Sequence, residues 1–126
     1  MKILVVDDSG VQRKMIIKII QTAGFTNPIL EAANGQEAVQ LLGENFKDVA
    51  LILCDWNMPV MSGIDFIAGV GKVPQLSHIP IVMVTTEGTE SKIQEARSKY
   101  PMLVGYVAKP FTPEQLKNTI APFIQA

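Results

Sequence analysis

Groups able to do acid, base or cation chemistry fall at four separated places: Asp7-Asp8, Asp55, Thr85-Thr86 and Lys109. Each follows a short apolar run, respectively Ile3 to Val6, Val49 to Cys54, Ile81 to Val84, and Leu103 to Ala108. The runs are continuous and rich in Val, Ile and Leu, the pattern of strands buried on both faces. Carboxylates at neighbouring strand tips, brought to about 4 Å, repel by roughly 4 kcal/mol per pair at an effective dielectric near 20. Summed over Asp7, Asp8 and Asp55, that rivals the stability of a small domain. Relief requires protonation or a cation, and Lys109 neutralises only part of the charge. A hard divalent ion that takes oxygen ligands and keeps several waters, such as Mg²⁺, meets the demand.

With Mg²⁺ on Asp8 and Asp55, a tetrahedral anion could complete the metal shell while Lys109, Thr85 and backbone N–H groups hold its other oxygens. That is a phosphoryl site. The sequence has no Gly-x-x-x-x-Gly-Lys-Ser/Thr loop and no Ser-His-Asp or Cys-His set, its one histidine being His78 in a predicted loop. A carboxylate nucleophile forming an aspartyl phosphate is the chemistry left.

The elements that must position these groups alternate. Val11, Met15, Ile16, Ile19, Ile20 and Ala23 recur at helical spacing and stop at Gly24, which predicts a helix with these residues inward. A weaker strand, Ile29 to Ala32, precedes a helix capped by Asn34 and carrying Ala38, Val39, Leu41 and Leu42. Ser62 precedes a short helical stretch, Ile64 to Val70, which Gly69 and Gly71 should end early. A fourth helix opens at Thr89 or Glu90. The last starts at Thr112-Pro113 with Gln115 completing a capping box, and turns Leu116, Ile120, Phe123 and Ile124 inward. Strand and helix in alternation predict an α/β fold of five βα units wound into a parallel sheet, with ligands at the carboxyl ends of the strands.

A chain of 126 residues with 48% hydrophobic residues is expected to be one domain, residues 1–126, with a packed core. Eleven basic against twelve acidic side chains, without a basic cluster, argue against nucleic acid as a partner. One cysteine, Cys54, makes no internal disulfide, and the first apolar run is too short for a signal peptide or a membrane span. Cytoplasm is the expected compartment. Cys54 reads as a small core residue and His78 as an exposed one.

Asp7-Asp8, Asp55-Trp56-Asn57-Met58-Pro59, Met61-Ser62-Gly63, Thr85 and Tyr106-Val107-Ala108-Lys109-Pro110-Phe111 together resemble a bacterial response-regulator receiver domain over the full length. The resemblance implies a doubly wound, flavodoxin-like five-stranded parallel sheet of order 2-1-3-4-5 with five helices. It implies that Asp55 accepts a phosphoryl group from a sensor histidine kinase or a small phosphodonor. Asp8, Asp55 and the carbonyl of Asn57 would ligate Mg²⁺, with Asp7 acting through a metal-bound water. Lys109 would hold a phosphoryl oxygen through a Lys109-Pro110 bond that is often cis in this family. Thr85 would be the switch hydroxyl, with Tyr106 turning inward on activation. The output surface would be the fourth helix, fifth strand and fifth helix.

Thr86 neighbours the same phosphoryl oxygens, and its bulk, where the family often has a small residue, would narrow the entry. Asn57 and Glu87 flank the approach of water and would tune the lifetime of the phosphorylated state. Asp7-Asp8 alone also suits a strand-to-turn cap, and Tyr106 alone suits a core position. Met15, Met58, Met61, Met83 and Met102 read as packing residues, Met58 and Met61 being placed to touch a partner beside Asp55. Pro101 should stop the fourth helix by forcing Tyr100 out of helical geometry. An aspartyl-phosphate phosphohydrolase would place Asp-x-Asp on the first strand, which Asp7-Asp8-Ser9 does not match. A flavin carrier would want a Ser/Thr/Gly-rich loop where the two aspartates stand. The expected protein is a monomeric signalling phosphoacceptor rather than an enzyme. Its partners would be a kinase, a flagellar motor switch protein or a further phosphorelay component, and a phosphatase.

Overall fold

Continuous Val/Ile/Leu runs are stable as strands only where helices cover both faces of the sheet, and this sequence supplies a helix after every run. The computed structural model describes residues 1–56, 62–86, 90–109 and 111–124. In chain order the elements are β1 (Lys2–Val6), α1 (Gly10–Thr22), β2 (Ile29–Ala32), α2 (Gly35–Asn45), β3 (Val49–Asp55), α3 (Gly63–Gly71), β4 (Ile81–Thr86), α4 (Glu90–Lys99), β5 (Leu103–Lys109) and α5 (Pro113–Ile120). All neighbouring strands are parallel, in the order β2-β1-β3-β4-β5. The predicted architecture and strand order are what the chain adopts.

Period-two alternation sorts the core into two layers. Ile3 and Val5 of β1 and Leu51 and Leu53 of β3 face Ile16 and Ile20 of α1 and Leu116 and Ile120 of α5. Leu4, Val6, Ile52 and Cys54 face the other way, onto Ala38 and Leu42 of α2 and Phe66, Ile67 and Val70 of α3. Side-chain caps start α2 and α5 as predicted, and a further one, at Ser62, starts α3. The Asn34 carboxamide oxygen accepts from the Glu37 N–H at 2.9 Å, Ser62 Oγ accepts from the Asp65 N–H at 3.3 Å, and Thr112 with Gln115 forms the reciprocal box.

Several expectations need correction. Val11 and Met15 are exposed, at 79% and 42%, so α1 buries Ile16 and Ile20 instead of the whole predicted stripe, and Met15 is not a packing residue. Val11 and Met15 lie about 100 to 180° round the helix from Ile16 and Ile20, on the face turned to solvent. Helix α3 runs through Gly69 to Gly71, and the Lys72 N–H closes it on the Gly69 carbonyl at 3.3 Å. Burial of Phe66, Ile67 and Val70, about 1.5 to 3 kcal/mol each, outweighs a glycine penalty of up to about 1 kcal/mol. Burial on both faces holds for β1, for Leu51 to Asp55 of β3 and for Ile81 to Val84 of β4, but β5, at the sheet edge, fully buries only Leu103 and Val107. Helix α5 stops at Ile120, and Phe123 and Ile124 pack on the same layer from beyond its end. Helix α4 ends at Lys99 with Tyr100 outside it, as Pro101 demands.

Candidate functional site

The chain leaves β1 toward β2 and returns to β3 on the other side, which opens a crevice at the carboxyl ends of these two central strands. Val6 pairs with Cys54, so the residues that follow, Asp7 and Asp55, emerge at one level. Asp55, predicted just beyond its strand, is the last residue of β3. Asp7 is 1% exposed: its N–H donates to the Ala32 carbonyl at 3.1 Å, and its Oδ1 accepts from the Ser9 N–H at 2.9 Å. Asp8 is exposed at the crevice mouth. One carboxylate oxygen from each of Asp7, Asp8 and Asp55 lies within 4.8 Å of the other two.

Lys109 ends β5, opposite Thr86 of β4, and its side chain crosses the tip of β4 to the acids. Its Nζ stands 3.6 Å from Asp55 Oδ2 and 3.7 Å from Asp7 Oδ2. One ammonium cannot balance three carboxylates, and oxygens spaced this way at an effective dielectric near 20 repel by roughly 3 to 4 kcal/mol per pair. Asp7 Oδ2 is buried without a hydrogen-bond donor in range. An all-oxygen cluster with excess negative charge, one orphaned buried lone-pair donor and one exposed member fits a hard divalent cation such as Mg²⁺. Asp7, Asp8 and Asp55 are the residues that could hold it.

The thiol of Cys54 donates to the carbonyl of Asp55 at 3.4 Å. Burial above all, and then the negative charges of Asp55 and Asp7, push its pKa far upward, so it stays a neutral packing group. Trp56 is buried beside the site, its N–H donating to the Val84 carbonyl at 3.3 Å while its own carbonyl accepts from the Gly63 N–H at 2.9 Å. A Cβ on Gly63 would stand 2.6 Å from the Asp55 carbonyl oxygen and 2.9 Å from the Trp56 Cα. Only glycine lets α3 begin this close to the end of β3. Sequence reasoning placed Gly63 in a motif without giving it this task, because the close approach is tertiary.

Tyr106 is half-buried on β5, paired with Met83 and packed against the core layer below α3. Thr85 and Thr86 occupy the predicted end of β4, opposite Ala108 and Lys109. Their side chains lie outside the described residues, as do Asn57, Met58, Met61, Glu87 and the Lys109-Pro110 bond. His78 is exposed, and Met83 and Met102 are buried as expected. Among the described residues no helix is long and apolar enough to cross a membrane.

Comparison with known proteins agrees with this geometry. The response regulator receiver domain family matches residues 3–121. The chain is 41% identical to the chemotaxis protein CheY of Pseudomonas aeruginosa over 120 residues, covering 95% of this chain and 93% of that protein. It is 38% identical to the chemotaxis protein CheY1 of Helicobacter pylori over the same length, covering 95% and 94%. Among solved structures, the chemotaxis response regulator CheY4 of Vibrio cholerae superposes with a TM-score of 0.83 at 35% identity, covering 98% of each chain. On the family match, these identities and the shared fold, the chain belongs to the response regulator receiver domain family.

Proposed function

We propose that the chain is a Mg²⁺-dependent phosphoacceptor of two-component signalling whose output is a phosphorylation-dependent protein contact in chemotaxis. The observation that carries this reading is the cluster of Asp7, Asp8 and Asp55 within 4.8 Å, with Lys109 at 3.6 Å from Asp55. A carboxylate oxygen of Asp55 attacks the phosphorus of a phosphohistidine on a sensor kinase. The P–N bond breaks, its electron pair stays on the imidazole, which takes up a proton, and Asp55 becomes an acyl phosphate. Lys109 shifts from carboxylate to phosphoryl oxygen as the charge moves outward. Asp8, Asp55 and the carbonyl of Asn57 are assigned to the metal, with Asp7 acting through water. When bound, Mg²⁺ offsets the excess charge of the acids and of the entering phosphoryl group. Thr85 and Thr86 are assigned to the remaining phosphoryl oxygens.

The output assignment draws on the names of the relatives, which are chemotaxis proteins. A flagellar motor switch protein is the target this suggests, contacted through α4, β5 and α5. Tyr106 suits a switch on that face, being half-buried beside a cavity of about 420 Å³ that Gln115, Asn118 and Thr119 also line. One new dianion at Asp55 biases two pre-existing arrangements, so activation is a shift of populations. Intact-protein mass after incubation with acetyl phosphate, with and without Mg²⁺, tests the reading. A Mg²⁺-dependent phosphoryl adduct is expected in the parent and none in Asp55→Asn. An adduct that persists in Asp55→Asn, or that forms equally without Mg²⁺, overturns the assignment.

A further inference from the structure

We infer that Arg13 is a positioning residue for the metal centre, acting through the peptide that joins Asp7 to Asp8. The inference rests on the metal-dependent reading above. Arg13 stands in the second turn of α1 with its side chain 19% exposed, so the guanidinium is largely enclosed. Its Nη1 donates to the carbonyl oxygen of Asp7 at 2.5 Å, and its Nε donates to Glu31 Oε1 at 3.0 Å. Glu31 belongs to β2 and pairs with Val5 of β1, so one planar fork ties α1, the end of β1 and the edge strand together.

The carbonyl of Asp7 is half of the Asp7-Asp8 peptide plane. Holding that oxygen fixes the plane, which is rigid, and with it the direction in which Asp8 leaves the turn. Asp7 is then held at its N–H by Ala32, at Oδ1 by the Ser9 N–H and at its carbonyl by Arg13. The one polar atom left without a hydrogen bond is Oδ2, which faces Lys109 at 3.7 Å. Asp8 is exposed and takes its aim from this anchored plane. Sequence reasoning passed over Arg13 because a basic residue on a helix beside two aspartates reads as a solvated charge.

Charge alone predicts the opposite effect. A cation beside an acid cluster weakens the binding of a second cation, so removing it should tighten metal binding. Positioning predicts weaker binding, since groups that orient metal ligands typically contribute about 10- to 100-fold in affinity. Mn²⁺ serves as a hard, oxygen-seeking probe whose free concentration is read by electron paramagnetic resonance, with Mg²⁺ as competitor. No phosphodonor is present. Arg13→Ala is expected to raise the Kd about tenfold. Arg13→Lys, which keeps the charge but loses the fork, should fall between parent and Arg13→Ala, and Glu31→Gln should weaken binding in the same direction. Parent-like or tighter binding in Arg13→Ala, while Asp8→Asn loses the ion, overturns the inference and leaves the metal centre standing. Should Arg13→Ala fail to fold, parent-like binding in both Arg13→Lys and Glu31→Gln overturns it equally. A parent that binds Mn²⁺ no better than Asp8→Asn removes the metal reading itself, and the role of Arg13 with it.

Discussion

Lys109 stands between two buried carboxylates while Asp8 adds a third charge at the crevice mouth. Without metal, part of that repulsion is unrelieved, so Asp8→Asn should stabilise the metal-free protein, by up to about 1 kcal/mol because Asp8 is solvated. Thermal unfolding at low salt checks this: the gain should shrink as salt screens the cluster, and an unchanged or lower midpoint would count against the repulsion. Cys54 makes stability depend on pH. Its folded pKa is raised, so its contribution is fully present below the unfolded thiol value, near 8.5, and is lost as pH rises beyond it, at no more than about 1.4 kcal/mol per pH unit. Cys54→Ala should flatten the fall of stability above that pH, and chemical denaturation across the range checks it. For Asn57→Ala and Glu87→Ala the expected change is in the decay rate of phosphorylated Asp55, with stability little altered; decay at the parent rate in both would exclude them from the water path. At this scale Asp7, Asp8, Asp55 and Lys109 were legible because each ends an apolar run. Arg13 and Gly63 were not, since their tasks depend on which backbone atoms the fold brings beside them.

Elements were legible to the extent that local chemistry decides them. The caps at Asn34 and Thr112 and the stop before Pro101 involve neighbours in sequence, and each appears where predicted. The errors lie where packing decides: the sheet covers one face of α1, and Val11 and Met15 lie about 100 to 180° round the helix from Ile16 and Ile20, on the other. Helix α3 outlasts its glycines for the same kind of reason, tertiary burial overriding propensity. The join between β3 and α3 depends most on a single residue. In Gly63→Ala the new methyl group must displace backbone at the Asp55 carbonyl and the Trp56 Cα, not a yielding side chain. A loss of about 1 to 3 kcal/mol is expected, together with weaker Mn²⁺ binding because Asp55 moves with its carbonyl. Denaturant titration and the metal titration check the two parts separately, and a variant as stable as the parent would show that the join relaxes freely. Thr112→Ala, which removes the cap of α5 and no group assigned to the metal, should cost about 1 kcal/mol.

The whole molecule divides by how firmly its parts are held. Strands β1 and β3 are buried on both faces and carry the acids, and β4 adds Ile81 to Val84 at no more than 1% exposure. Their amides are expected to exchange with solvent only when the domain unfolds. Helix α4 differs: among its described side chains Ala96 alone is buried, and a cavity of about 310 Å³ separates it from Trp56 and Ile64. It is expected to open without disturbing Asp7, Asp8 or Asp55. A ligand that binds only the folded site slows exchange through global unfolding by the factor 1 + [L]/Kd, about a hundredfold at 100 Kd, and leaves openings that preserve the site untouched. Mg²⁺ at that concentration should therefore slow exchange in β1, β3 and β4 by the full factor while α4 exchanges at its metal-free rate. Hydrogen-exchange mass spectrometry with and without Mg²⁺ makes the comparison within one sample. Equal slowing in α4 would mean that this helix opens only with the core, and would remove the physical basis for an output face that rearranges at small free-energy cost when Asp55 is modified.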